Sequence, residues 1–374
     1  MKQVVTPDLR SAALPTLVRP LTAARRVASD RVNCVHPLED VRWSSFVLNH
    51  PRSSIFHTSG WLDALSRTYG YEPIAVTTTP TGAQLENAIV CCRVNSWLTG
   101  ERLVSLPFSD HCEPLVDDIT EKDEMLLALV QEVQERSLLY LEVRPVNGLT
   151  DRGFASSLQH CLHQIDLTPT LDELFHKCHP SSTQRKIKRA VREKLQYEEG
   201  NTKSSLKTFY ELLLLTRRRQ QLPPQPRKWF ENLVDCLGGS LKIRVALKGT
   251  RPIASIMTLR HRDTMVYKYG CSDAQYNNLG GMHFLLWWTI QEAKAQGLRH
   301  MDLGRSDITA SGLVTFKDRW GSSRSSLPYF RFATTSKGQF ARDDWKQKLA
   351  KRVFSKVPSR LLTPLGSILY RHIG

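Results

Sequence analysis

From about residue 41 the apolar and polar positions of this chain fall into alternating helical and extended periods. In "SGWLDALSRTYG", Trp61, Leu62 and Leu65 recur at helical spacing, with Ser59 placed to cap the start and Gly70 to end it. "EPIAVTTT", "NAIVCCRVNS" and "ERLVSLPF" are apolar runs divided by Pro, Gly and Asn, a strand pattern. "EKDEMLLALVQEVQERS" is helical again, with acids first and Arg near its end, as a helix dipole prefers. "LLYLEVRPV" and "CLHQIDL" follow as strands. A second cycle then begins. "TQRKIKRAVREKLQ", "TKSSLKTFYELLLLTRRRQQ" and "PRKWFENLVDCLGG" predict helices; "LKIRVALKG", "RPIASIMTLRHR" and "TMVYKYGCS" predict strands. The helix "MHFLLWWTIQEAKAQG", the strand "LRHMDLG", a helical turn around Phe316 and the strand "LPYFRFAT" complete it.

Each half runs from helices into an antiparallel strand set, then helix, strand, helix or turn, and strand. That order predicts mixed, largely antiparallel sheets flanked by helices, α/β layers occurring twice. The division is an N-terminal extension 1–40, a first unit 41–165, a second unit 166–340 and a tail 341–374. No G-x-G-x-x-G or G-x-x-x-x-G-K-[ST] motif occurs, and strands do not alternate regularly with helices, which excludes Rossmann and P-loop readings.

Composition adds a charge bias. The 374 residues carry a formal net charge of +16, which favours anionic partners. The eight cysteines show no C-x-x-C pair or zinc spacing, so reduced thiols, a cytoplasmic setting and no metal are expected. The first residues lack a long apolar core, so no secretory signal is expected, and no run is long enough to span a bilayer.

Four constellations are candidates for chemistry. Arg185, Lys188, Arg189 and Arg192 share one helix face, with Ile187, Val191 and Leu195 opposite for docking. That face reads as a phosphate site or as a solvated surface. "TRRRQQLPPQPRKWF" sets Arg217 and Arg219 beside a Pro-rich turn, for phosphate or carboxylate binding or for completing the helix dipole. "VYKYGCSDAQYNNLGGMHFLL" runs from strand to helix start. Alternation there puts Tyr267 and Tyr269 on one face and Lys268 on the other, while Asn277, Gly280 and Gly281 allow close backbone approach to an anion. "LPFSDHCEPLVDD" gathers Asp110, His111, Glu113 and Asp117 as acid/base or amine-binding groups, or as a capping loop.

"RKIKRA", "FYELLLLTRRR", "VYKYGCSD", "NNLGGMHFLLWWTIQEAKAQG", "MDLGRSD" and "GLVTFKDRWG", in this order, resemble the Fem-type aminoacyltransferases, double-domain members of the GNAT (acetyltransferase-like) superfamily. The likeness covers roughly residues 165–330 best, and is nearest an acetyltransferase-like branch associated with bacterial surface polysaccharides. It implies two tandem GNAT-like folds, no metal and no covalent intermediate. It also implies transfer of an acyl group to an amine of a cell-envelope or polysaccharide precursor. The donor would be acyl-CoA or aminoacyl-tRNA, with no tightly bound cofactor. The Lys of the family's "F-K-x-x-F-G" motif matches Lys317, beside Phe316 and near the donor carbonyl; Trp320 replaces the second Phe. A first-domain Asp matches Asp117, without the Gly that usually precedes it. The CoA-pyrophosphate loop Q/R-x-x-G-x-G/A has its nearest match at "NNLGGM", where Met282 takes the last small position.

The catalytic set expected is Lys317, Asp302 and Arg305. Met301 and Leu303 would face the core and Asp302 the other way, with Gly304 turning the chain out of the strand. A non-catalytic RNA-binding or polysaccharide-assembly GNAT scaffold is the alternative; DNA is not an expected partner. The tail sets Lys346, Lys348, Lys351, Arg352 and Lys356 beside Trp345, Leu349, Val353 and Phe354, which predicts packing on its own domain or peripheral contact with the inner membrane face.

Overall fold

The computed structural model describes residues 31–149, 153–334, 366 and 368–372. Residues 1–30 of the N-terminal extension and the basic and apolar residues named in the tail, Trp345 to Lys356, lie outside the described residues. The strands are β1 (Asn33–Val35), β2 (Glu72–Thr77), β3 (Ile89–Val94), β4 (Arg102–Val104), β5 (Leu141–Val143), β6 (Ala155–Asp166), β7 (Gln196–Gly200), β8 (Leu241–Lys248), β9 (Arg251–His261), β10 (Thr264–Ser272), β11 (His300–Asp307) and β12 (Ser323–Phe332). The helices are α1 (Trp43–Asn49), α2 (Ser59–Tyr69), α3 (Ile119–Glu135), α4 (Leu171–Lys177), α5 (Arg185–Arg192), α6 (Lys203–Arg219), α7 (Arg227–Leu237), α8 (Gly281–Ala295) and α9 (Ser311–Asp318).

Pattern and structure agree closely for the long periodic segments. α2 ends at Gly70 in the left-handed region, but its N-cap is Thr58, whose hydroxyl accepts from the Trp61 N–H, and not Ser59. β1, β7, α1 and α4 were not legible in the pattern, since three to seven residues give too few periods. The basic helix is shorter than its pattern, because residues 180–184 form a wider π turn before α5 begins.

The strands join into one sheet, in the order β1-β2-β3-β4-β5-β12-β6-β11-β10-β9-β8-β7. β12 lies between β5 and β6, so the last strand closes the seam between the two halves. A division at residue 165 therefore falls at the end of a strand whose neighbours, β11 and β12, both come from later in the chain. On one face, α1, α2, α6 and α7 share a continuous core, with Trp61 edge-on to Trp229 at 5.3 Å. On the other, α3 covers the first half and α4, α5 and α8 cover the second.

The seam is polar at one point. Glu142 on β5 stands opposite Arg331 on β12 and accepts from it at 2.6 Å, and from Arg144 at 2.8 Å. All three side chains are buried.

α5 crosses the start of α8. Ile187 and Ala190 are buried beneath it, whereas Val191, expected to dock, is 66% exposed. The helix turns about 100° per residue, so Ala190 takes the inward position and Val191 rotates off it. Gly280, at φ +85, makes this crossing possible: a Cβ there would stand 2.4 Å from the Lys186 carbonyl oxygen. Gly280→Ala is expected to cost more than the roughly 1–2 kcal/mol of the backbone conformation alone. A denaturant melt checks it; an unchanged midpoint would show that α5 can move away freely.

Candidate active site

Two adjacent strands bulge at the same level. In β10, Tyr267 pairs with Thr258 and Tyr269 with Met257, so Lys268 is the extra residue. In β11, Asp302 pairs with Gln164 and Arg305 with Leu162, and Gly304 sits in the irregularity at φ +74. β10 and β11 pair in parallel only from Thr264↔His300 to Val266↔Asp302. Beyond that level the sheet opens.

The first bulge overturns the expected alternation. Tyr267 packs with the α5–α8 layer and Tyr269 with the α6–α7 layer, where Trp229 Nε1 donates to its hydroxyl at 2.9 Å. An extra residue inverts every later side chain of a strand, so the two tyrosines lie on opposite faces. Gly304 is likewise not a turn out of β11, which continues to Asp307. A Cβ on Gly304 would lie 3.2 Å from Asp110 Oδ2, so this position is kept open for the facing loop.

That loop, residues 106–113, comes from the first half. Leu106 and Phe108 both have positive φ, +44° and +62°, a strained backbone for such side chains. Four contacts hold it against the second half. Lys268 Nζ donates to the Phe108 carbonyl at 2.8 Å and to Asp110 Oδ2 at 2.9 Å. His111 Nε2 lies 3.0 Å from Asp302 Oδ2, and the Tyr329 hydroxyl donates to the Asp110 carbonyl at 2.7 Å.

Lys317, from α9, enters the opening from the other side. Its Nζ donates to the carbonyls of Gly304 at 2.7 Å and Arg305 at 2.9 Å. The ammonium has three N–H groups, so one remains for the cleft. The cleft is about 200 Å³ and is lined by Asp110, Lys268, Tyr267, Arg305 and Lys317, with Arg217 on the α6 wall. Burial pushes the Lys317 ammonium down to about 8, despite Asp110 and Asp302 nearby. Burial would raise the Asp110 carboxyl, but Lys268 and Arg305 outweigh it and hold it below the usual range. Burial would lower the His111 imidazole, but its bond to Asp302 raises it overall.

A second hollow, about 180 Å³, lies at the start of α8. It is lined by Lys186, Asn277, Gly281, Met282, His283 and Phe316. The first-turn N–H groups of α8 point out of the helix here, without intrahelical partners. A third, about 320 Å³, shares Lys186, His283 and Phe316 and adds Arg319. The second and third hollows thus meet at Lys186, His283 and Phe316, and Phe316 precedes Lys317 on α9.

Of the residues singled out in the sequence, the structure gathers Lys317, Asp302, Arg305, Asp110, His111, Tyr267, Tyr269 and Arg217 around the first cleft. Asn277, Gly281 and Phe316 line the second hollow. Others stand apart. Glu113 is buried but accepts from the Val146 N–H at 2.5 Å and from Asn147, bracing a turn. The Asp117 side chain is 82% exposed and pairs with Arg52 at 2.6 Å. Arg219 is exposed beyond the cleft. On α5, Arg185, Lys188, Arg189 and Arg192 are all exposed; Arg189 also pairs with Glu193 at 2.6 Å, and Lys188 lies over the Phe175 ring. Asp318 lies 3.1 Å from His163.

Lys268, Lys186 and His283 were missed as site residues. Lys268 had a signal, an ionisable residue inside an apolar strand; the other two had none. Among the described residues no group of His, Cys, Asp and Glu could hold a metal ion. All eight cysteines are free thiols.

Residues 181–317 match the acetyltransferase (GNAT) domain family. No curated protein sequence matches the chain. Among solved structures, FemX is similar at 15% identity and TM-score 0.62, over 85% of this chain and 100% of that one. The C-terminal domain (DUF2156) of an Agrobacterium fabrum protein described as a lysylphosphatidylglycerol synthetase is similar at 13% and TM-score 0.57, over 83% and 96%. A tandem GNAT protein from the clavulanic acid biosynthesis pathway is similar at 8% and TM-score 0.50, over 81% and 99%. Residues 181–317 are therefore similar to a GNAT acetyltransferase domain, and the chain as a whole has a Fem-like tandem GNAT fold.

Proposed function

We propose that the protein transfers an acyl or aminoacyl group from an activated donor to an amine of a cell-envelope or surface-polysaccharide precursor. The observation that carries this reading is the paired bulge, which opens the sheet beside Lys317 and Asp110. An extended acyl arm fits such an opening. Acyl-CoA is the donor of GNAT acyltransferases; aminoacyl-tRNA offers the same activated carbonyl with a larger polyanion. Lys186 and the free N–H groups at the start of α8 suit the donor's phosphates.

In the reaction the amine nitrogen bonds to the acyl carbon, and the C–S or C–O bond to the carrier breaks. The carrier leaves with the electron pair, and the amine proton passes to it or to solvent. Charge develops on the carbonyl oxygen, where the remaining Lys317 N–H is placed to meet it. Asp110, held ionised, accepts a hydrogen bond from the incoming amine and orients it.

Purified protein incubated separately with acetyl-CoA, longer acyl-CoAs and charged tRNA is expected to consume one of them. Consumption of none, with no ligand retained by mass spectrometry, would sink the proposal.

A pH profile follows. Lys317 assists the oxyanion as a cation, and its proton is lost near pH 8. Turnover at saturating acceptor is expected to decline as pH rises through about 8, while deprotonation of the acceptor amine pushes the other way. Lys317→Met should abolish that declining limb. A limb of unchanged position in the variant would assign it to another group.

A further inference from the structure

Two guanidinium groups line the cleft with no carboxylate bonded to them. Elsewhere in the fold Arg144, Arg331 and Arg244 pair with carboxylates at 2.8, 2.6 and 2.7 Å. Arg305 Nε stands 4.0 Å from Asp110 Oδ1, beyond hydrogen-bond reach, and the other Asp110 oxygen is taken by Lys268. On α6, Arg217 Nη1 donates to Gln220 Oε1 at 3.4 Å, a long contact, and its Nε–H is buried without an acceptor.

Both groups are oriented by neutral neighbours. Arg305 Nη1 lies 3.1 Å from His160 Nε2, and its guanidinium lies over the Tyr329 ring. Burial, and then Arg305 itself, push the His160 imidazole down to about 4. It is therefore uncharged at neutral pH and accepts at Nε2. The Gln220 amide is uncharged as well. Such supports aim a guanidinium and leave its charge uncancelled. Lys268 and Lys317 are engaged instead, the first with Asp110 and the second with two carbonyls. The cleft thus holds four cations against one carboxylate, Asp110, and its two least-matched charges are Arg305 and Arg217.

The faces of the sheet decide which substrate supplies the anion. The start of α8, suited to the donor's phosphates, belongs to one face. Arg217 comes from α6, on the other. Lys268 lies over Phe56 and Trp61 on that second face, and it holds Asp110, which orients the acceptor amine in the proposed reaction. Amine and anion therefore meet the protein on the acceptor's side. The cleft is about 200 Å³, below the roughly 300–1,000 Å³ of pockets that enclose a whole ligand. The two groups accordingly belong to one small reacting end. A planar, singly charged carboxylate matches a guanidinium in a two-bond pair.

We propose that the acceptor carries a carboxylate a few bonds from its amine, the carboxylate held by Arg305 and Arg217 and the amine by Asp110. Amino acids and aminouronic acids have this chemistry. Such an acceptor narrows the acyl transfer proposed above, and rests on it.

Binding measured without a donor keeps the failure of this acceptor separate from the failure of the transfer reaction. Calorimetric titration of the full chain compares β-alanine with ethylamine, γ-aminobutyrate with propylamine, and glucosaminuronic acid with glucosamine. At least one acid is expected to bind about tenfold more tightly than the amine that lacks its carboxylate, the usual effect of one charge-assisted pair. Arg305→Gln and Arg217→Gln should each remove most of that preference. Arg217→Gln breaks only the long contact to Gln220, so it reads the charge even where Arg305→Gln melts early. Equal binding within every pair, or binding of no probe, overturns the proposal, as does a preference unchanged in either folded variant. Glucosamine phosphate bound in place of the acids would assign the arginines to a phosphate. Succinate bound where no amino acid binds would assign them to a charged acyl group of the donor. Either result overturns it as well.

Discussion

Lys317→Ala is expected to lower the rate of acyl transfer by about 10²–10³-fold, the usual effect of removing one oxyanion donor. The loss should appear in kcat, with the donor's KM little changed, because Lys186 and the start of α8 hold the donor elsewhere. The alanine variant also leaves the Gly304 and Arg305 carbonyls without that donor, a cost of about 1–3 kcal/mol for buried acceptors. Lys317→Met separates the effects. It fills the space of the stem and lacks the charge, so both variants should be equally slow while methionine restores part of the packing. Activity within twofold of wild type in either variant would remove Lys317 from the chemistry and leave it a brace between α9 and β11.

The second large effect is on stability. Glu142→Ala is expected to cost about 3–5 kcal/mol, because it strips two buried guanidinium groups of their shared carboxylate. Urea melts at pH 7 measure it. Burial alone would raise this carboxyl, but Arg144 and Arg331 depress it from 4.5 to about 2. The sign follows from that direction. A carboxyl depressed in the folded state contributes its full stabilisation above its unfolded value and loses it as pH falls through the folded one. Wild type should therefore weaken between pH 4.5 and about 2, and Glu142→Ala should be flatter over the same range. Parallel slopes would show that other carboxylates dominate acid unfolding. Glu142→Gln keeps the shape without the charge and should fall between the two.

Much of this molecule is legible in its sequence, for a physical reason. Elements that bury a face repeat that face often enough to be read, as the strands around Ile74, Ile243 and Ile256 and the helices around Leu65 and Leu213 do. The inward side of Met301 and Leu303 and the opposite side of Asp302 were readable in the same way. What was hidden depends on partners distant in sequence. The bulge at Lys268 exists only in relation to Thr258 and Met257, and no pattern within "VYKYG" reveals it. The same holds for Asp110, flagged as one carboxylate among several. Only the docking of its loop on Lys268 separates it from Glu113 and Asp117. The charged face of α5 was legible from its spacing, but not the neighbours Glu193 and Phe175 that Arg189 and Lys188 meet there.

The position of β12 bears on how the chain is made. Synthesis completes β5 at residue 143, yet the strand that pairs with its free edge starts at residue 323. Until then the nascent first half carries an unpaired edge of main-chain donors and acceptors, which invites pairing with another chain. β6 waits in the same way for both neighbours, β11 and β12. The two halves thus cannot finish in turn as they leave the ribosome. They close together, when the last strand arrives, and the Glu142–Arg331 pair forms at that moment as the latch on the seam.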